Sequence, residues 1–79
     1  MAIYTYDAET DVLYVLLQDD ETAAIERTEE IDPALHVDLN AAGEVVGVEF
    51  LYPRINGLPV DEVRERYGVD LKIPFSFAA

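Results

Sequence analysis

The chain contains no cysteine and no tryptophan in its 79 residues. Without cysteine there is no disulfide framework, no thiolate metal site and no thiol nucleophile. Basic residues are scarce: 5 Lys and Arg stand against 17 Asp and Glu, a formal net charge of −12. Phosphate contacts need clustered Lys and Arg, so the sequence argues against direct nucleic-acid binding, and anionic membrane surfaces are disfavoured for the same reason. No apolar run approaches the ~18–20 residues of a membrane span. Met1-Ala2-Ile3-Tyr4 offers no basic segment of a signal peptide, so a cytoplasmic protein without a membrane partner is the expectation. Catalytic equipment is equally thin. Ser76 is the only serine and Lys72 the only lysine, and Ser76, His36 and Asp38 make no convincing triad. Gly43, Gly47, Gly57 and Gly68 have no phosphate-loop spacing. No catalytic residue and no cofactor is assigned.

What is present is enough for one folded domain. Hydrophobic residues make up 51% and charged residues 28%, which argues against disorder despite the charge. At this length only one core fits. Single cores of this size are marginal, so self-association as a homodimer is expected. The charge is unevenly spread. Residues 1–53 carry 13 acids and one base, Arg27, whereas residues 54–79 carry four acids balanced by Arg54, Arg64, Arg66 and Lys72. Acids in this number keep a small sheet protein soluble, and they also steer in a cationic partner.

Short strands divided by turns fill residues 1–51. Residues 3–6 are β-rich, with Tyr4 and Tyr6 on one face. Residues 12–17 form an unbroken apolar run, which predicts a central strand covered on both faces. Residues 23–29 read as a weaker edge strand, guarded by Glu26, Arg27 and Glu29. Residues 35–39 alternate, with Leu35, Val37 and Leu39 opposite in facing to His36 and Asp38. Asn40-Ala41-Ala42-Gly43 predicts a hairpin turn, and residues 44–51 return. With Leu39 opposite Glu44, Val46, Val48 and Phe50 join the apolar face, and Val45, Gly47 and Glu49 take the other. Residues 53–57 read as a loop. Residues 59–67 predict a helix with Pro59 at its first position, a buried stripe of Val60, Val63 and Tyr67 and a stop at Gly68. Residues 69–77 alternate again as an extended, strand-like tail. Pro74 confines that tail to an edge, either closing its own sheet or lying across a second subunit. The fold class is therefore α+β and β-rich: a four- to five-stranded antiparallel meander, one C-terminal helix and an extended C-terminal arm.

Two constellations invite a metal reading. Asp38, Asn40, Gly43 and Glu49 sit near calcium-loop spacing, but Ala42 supplies no oxygen and the flanks alternate as strands. His36, Asp38 and Glu49 share one sheet face in the expected register, and a His with two carboxylates can hold a divalent ion. Tyr4, Tyr6, Tyr14, Ile73, Phe75 and Phe77 are the expected partner or dimer interface, as apolar groups a small sheet does not leave in water.

Tyr6-Asp7-Ala8-Glu9-Thr10-Asp11-Val12-Leu13-Tyr14-Val15 resembles the opening signature of a small bacterial and archaeal family known as domain of unknown function 2283. Its members show a Tyr-Asp, a short acidic turn, an Asp and a Leu-Tyr strand, then an Asp-rich turn ending in Gly and a Val-Gly-Val/Ile-Glu strand. The second part corresponds to residues 37–51, here Val37-Asp38-Leu39-Asn40 through Gly43 to Val46-Gly47-Val48-Glu49. The likeness covers residues 3–51. It implies a small antiparallel β domain and brings no catalytic residue. Some members are regarded as antitoxin-like, encoded beside a small RNA-cleaving toxin. The expected function is thus a non-enzymatic, homo-oligomeric interaction module, antitoxin-like in its concrete form, with a small basic protein as partner. The alternatives are a divalent-metal site at His36, Asp38 and Glu49, or a structural homo-oligomer with no specific ligand.

Overall fold

The computed structural model describes residues 2–19, 23–74 and 76–77. Five strands form one antiparallel sheet: β1 (Ile3–Asp7), β2 (Val12–Leu16), β3 (Arg27–Asp32), β4 (Leu35–Leu39) and β5 (Val45–Leu51). Two helices follow, α1 (Pro53–Asn56) and α2 (Val60–Tyr67). The fold is α+β and β-rich. Strand order across the sheet is β1-β2-β5-β4-β3. The β1–β2 hairpin thus lies against β5, while β3, β4 and β5 follow one another as a meander. Among the described residues no helix is long and apolar enough to cross a membrane.

One face of the sheet carries the core. Leu13, Val15, Leu35, Val37, Val48 and Phe50 are fully buried there, and Val63 of α2 reaches the same cluster. Side chains alternate along each strand, so the residues between them project from the opposite, open face. Val12, Tyr14 and Leu16 are only half-buried. The apolar run at 12–17 therefore marks a strand with neighbours on both edges, not one covered on both faces.

The hairpin register differs from the expected one. Leu35 pairs Phe50, His36 pairs Glu49, Val37 pairs Val48 and Asp38 pairs Gly47, then an irregularity brings Leu39 opposite Val45. Val46 is the extra residue of this bulge. Val45 thereby joins the core face in its place, and the Val46 carbonyl accepts the amides of Leu17 (2.7 Å) and Gln18 (3.2 Å). The turn itself follows from Asn40. Its side-chain Oδ1 accepts the amides of Ala42 (3.0 Å) and Glu44 (2.9 Å), and Gly43 supplies the left-handed residue at φ 81.

β3 is an edge strand, but it starts later than the sequence suggests. The Asp32 carboxylate accepts the Ala34 amide (2.7 Å), which closes a tight turn through Pro33 and draws residues 27–32 into pairing with β4. Ile25 stays outside the strand, 53% exposed. Pro53–Asn56 form one helical turn where a loop was expected, closed by the Gly57 amide on the Pro53 carbonyl (2.8 Å). In α2, Pro59 is the N-cap rather than the first helical residue, and Gly68 ends the helix in the left-handed conformation. The tail is irregular over its described residues rather than strand-like. Pro74 has no amide to donate to a ladder, and Leu71, Ile73 and Phe77 pack instead against the chain's own core.

Candidate functional site

The open face of the sheet gathers most of the polar side chains that the strands place together. Tyr14 projects from β2 across β5, and its hydroxyl donates to Asp38 Oδ2 on β4 (2.6 Å). Thr28 on β3 donates to the other oxygen, Oδ1 (2.5 Å). One carboxylate thus ties together strands from three places in the sheet. Gly47 makes the crossing possible. A Cβ there would lie 1.9 Å from the Tyr14 hydroxyl oxygen and 2.4 Å from Cζ. Burial, then the hydrogen bond to Asp38, pushes the Tyr14 hydroxyl pKa well above its ordinary value. Tyr14, protonated at neutral pH like any tyrosine, thereby stays a donor to Asp38 further into the alkaline range.

His36 stands directly opposite Glu49 in this register. Its Nδ1 lies 3.2 Å from Glu49 Oε1. A carboxylate only accepts, so Nδ1 carries the hydrogen of that bond. On the other side Nε2 is 3.3 Å from Glu30 Oε1. That is a close approach without hydrogen-bond geometry, since Nε2 is buried and has no hydrogen-bond partner among the described residues.

His36, Asp38 and Glu49 therefore share the open face, but Asp38 is turned to Tyr14 and Thr28 and does not join the other two. Among the described residues no group of three or more His, Cys, Asp or Glu is placed to hold a metal ion. The calcium-loop spacing has a different use. Asn40 is the acceptor of its own turn, and Glu49 lies along β5 beside His36.

The expected interface residues divide between the two faces. The Tyr4 hydroxyl donates to the Lys72 carbonyl (3.2 Å), and the Tyr6 ring packs on Phe77 with centroids 4.7 Å apart. Ile73 packs on the core of the same chain. Tyr14 is on the open face, and Phe75 lies outside the described residues. A second polar cluster binds the β1–β2 turn to the β5–α1 junction. Tyr6 donates to Asp11 Oδ1 (2.7 Å), the Arg54 amide donates to Asp11 Oδ2 (3.3 Å) and the Tyr52 amide donates to the Asp11 carbonyl (2.8 Å). Asp11 and Tyr52 are both left-handed, at φ 55 and 56. Burial, then Asp11, raises the Tyr6 hydroxyl pKa.

On the packed side, Glu29, Glu30, Ile31, Arg66 and Tyr67 line a shallow depression where α2 meets β3. There the Tyr67 hydroxyl donates to Glu29, which Arg27 also approaches at 3.3 Å.

The family model described as a protein of unknown function (DUF2283) matches residues 3–52. The chain belongs to the DUF2283 family. No curated protein and no solved structure matches it. In this DUF2283 chain the signature residues have structural tasks. Asp7 accepts the Glu9 amide (3.0 Å) in the first turn, Asp11 clamps the junction, Asn40 and Gly43 build the second turn, and Gly47 lies beneath Tyr14. The roles of Tyr14 and Thr28 escaped sequence reasoning. The available signal was Gly47 itself, since an isolated glycine inside a strand marks close approach of another group.

Proposed function

We propose that the chain is a non-enzymatic protein-interaction module, homodimeric, whose open sheet face receives a small basic protein. One observation carries this reading: on the open side of the sheet the strands present acids alone, whereas on the packed side acids and bases are mixed. By register, Asp7, Glu30, Asp38 and Glu49 belong to the open face. Among the described residues no Lys or Arg of the strands shares it. Arg27 pairs with Leu39 and so faces the packed side, and Arg54, Arg64, Arg66 and Lys72 follow on α1, α2 and the tail. A face of one sign speeds and orients the approach of the other sign. An antitoxin-like role in the cytoplasm, covering the RNA-binding surface of a basic toxin, is the concrete form suggested by the family resemblance. The homodimer follows from the small core, and light scattering should give twice the 8.8 kDa chain mass.

The test is affinity capture from lysate of the source organism, with wild-type bait beside Glu30→Lys/Glu49→Lys bait, both first verified as folded by circular dichroism. The expected result is one small basic protein held by wild type at low salt, released at high salt and absent from the reversed bait. Equal capture by both baits, or recovery of the bait alone, rejects the reading.

A further inference from the structure

We propose that the partner of the open face is an amphipathic basic helix of about three turns, laid along the strands over β5. This deepens the proposed function and rests on its acidic-face reading.

The open face is organised in bands parallel to the strands. β2 contributes Val12, Tyr14 and Leu16, a half-buried apolar and aromatic band. β4 and β3 contribute His36, Asp38, Thr28 and Glu30, with Glu49 of β5 beside them. Adjacent strands lie ~4.8 Å apart, so β2 and β4 are separated by ~10 Å. That matches the ~10–12 Å diameter of an α-helix with its side chains. A helix along β5 would lie on top of the Tyr14 ring that crosses Gly47 and beside Glu49, with one flank on Val12 and Leu16 and the other toward Glu30. Strands of five to seven residues run ~17–23 Å, the length of about three to four helical turns.

Backbone chemistry separates a helix from an extended peptide. Interior strands of a sheet spend their amides and carbonyls on neighbouring strands, so the face itself offers side chains only. An extended segment lying on that face would bury its own amides without partners. A helix satisfies its backbone internally and carries an apolar stripe beside a charged flank along its whole length. The occupant is therefore a helix with Leu- or Ile-like residues at i, i+3, i+4 and i+7 and Arg or Lys along one border of that stripe.

The probe is a synthetic peptide of that pattern, with two companions. One has the same composition permuted to break the stripe, and the other has every Arg replaced by Glu. Binding is read by fluorescence anisotropy and peptide helicity by the difference between the circular dichroism of the mixture and that of the protein alone. The patterned peptide should bind and gain helicity, and the other two should bind at least about tenfold more weakly. Glu30→Lys/Glu49→Lys and, separately, Val12→Thr/Leu16→Thr should each weaken binding by about tenfold, while Glu65→Lys on α2 changes it by no more than about twofold. If the permuted peptide binds as well as the patterned one, or Val12→Thr/Leu16→Thr has no effect, the helix is overturned and the acidic-face reading stands. If Glu30→Lys/Glu49→Lys also has no effect, both fall.

Discussion

Tyr14, Gly47 and Asp38 form the most informative trio at the scale of single residues. The tyrosine ring occupies the space that any side chain at 47 would need, and its hydroxyl satisfies a half-buried carboxylate. Gly47→Ala should displace the ring and break that bond, costing about 2 kcal/mol, since hydrogen bonds to charged groups are worth ~1.5–3 kcal/mol. Tyr14→Ala should remove the conflict, so that adding Gly47→Ala to it costs nearly nothing or stabilises, because alanine is the better strand residue. Urea unfolding of the four proteins of this cycle measures the coupling. Additive costs would mean that Gly47 matters for its backbone and not for Tyr14. His36 illustrates what residue patterns leave out: its alternation with Leu35 and Val37 places it on the open face, but its pairing with Glu49 depends on the neighbouring strand.

At the scale of elements, the tie between α2 and β3 predicts a pH response. The Tyr67 hydroxyl, then Arg27, holds the Glu29 carboxyl below its ordinary value. Burial, then Glu29, pushes the Tyr67 hydroxyl up to about 12. The raised tyrosine favours the protonated form in the fold, so its contribution is fully present below the ordinary value of 10.0 and is lost as pH rises toward about 12. The lowered carboxyl works in the other sense: its contribution is present above the ordinary value of 4.5 and is lost as pH falls through its folded value. Thermal melts above pH 10 should show the wild type losing stability more steeply than Tyr67→Phe. A residual alkaline slope is expected in the variant, because the Tyr14 and Tyr6 hydroxyls are also raised. Identical slopes would sink the assignment. The elements were legible to different degrees. The helix at 60–67 showed its stripe and its glycine stop within the segment itself. β3 began four residues later than its composition suggested, because the Asp32 turn and the register with β4 select residues 27–32 over the apolar Ile25.

For the whole molecule, the charge of −12 acts on stability and binding in opposite directions. Raising salt from ~0.01 M to ~0.15 M shortens the screening length from ~30 Å to ~8 Å. Repulsion among the acids should weaken, and the melting temperature should rise by a few degrees, ~2–5 °C. Attraction to a basic partner should weaken over the same range. Calorimetry and anisotropy in matched buffers separate the two effects. A melting temperature that falls with added salt would show that attractive pairs such as Arg64–Asp61 and Arg66–Glu62 outweigh the repulsion.

The sequence by itself determined β1, β2, β4, the turn into β5 and the helix at 60–67, and the inward side of β4. Alternation at 35–39, the apolar run at 12–17, the Asn40–Gly43 turn and the capped helix are each written in a few neighbouring residues. The local signals and the order of the signature motifs together led to the β-rich α+β class and to the DUF2283 family. Tertiary structure alone decided that β2 lies beside β5, that Val46 bulges so Val45 takes the core face, and that the tail packs on its own sheet. Period-two patterning keeps the same residues inward when a strand slides by two, so it cannot select one register or one neighbour. That choice is made by core closure over the whole chain. It sets His36 against Glu49, lays Tyr14 across Gly47, and leaves one face of the sheet acidic and open.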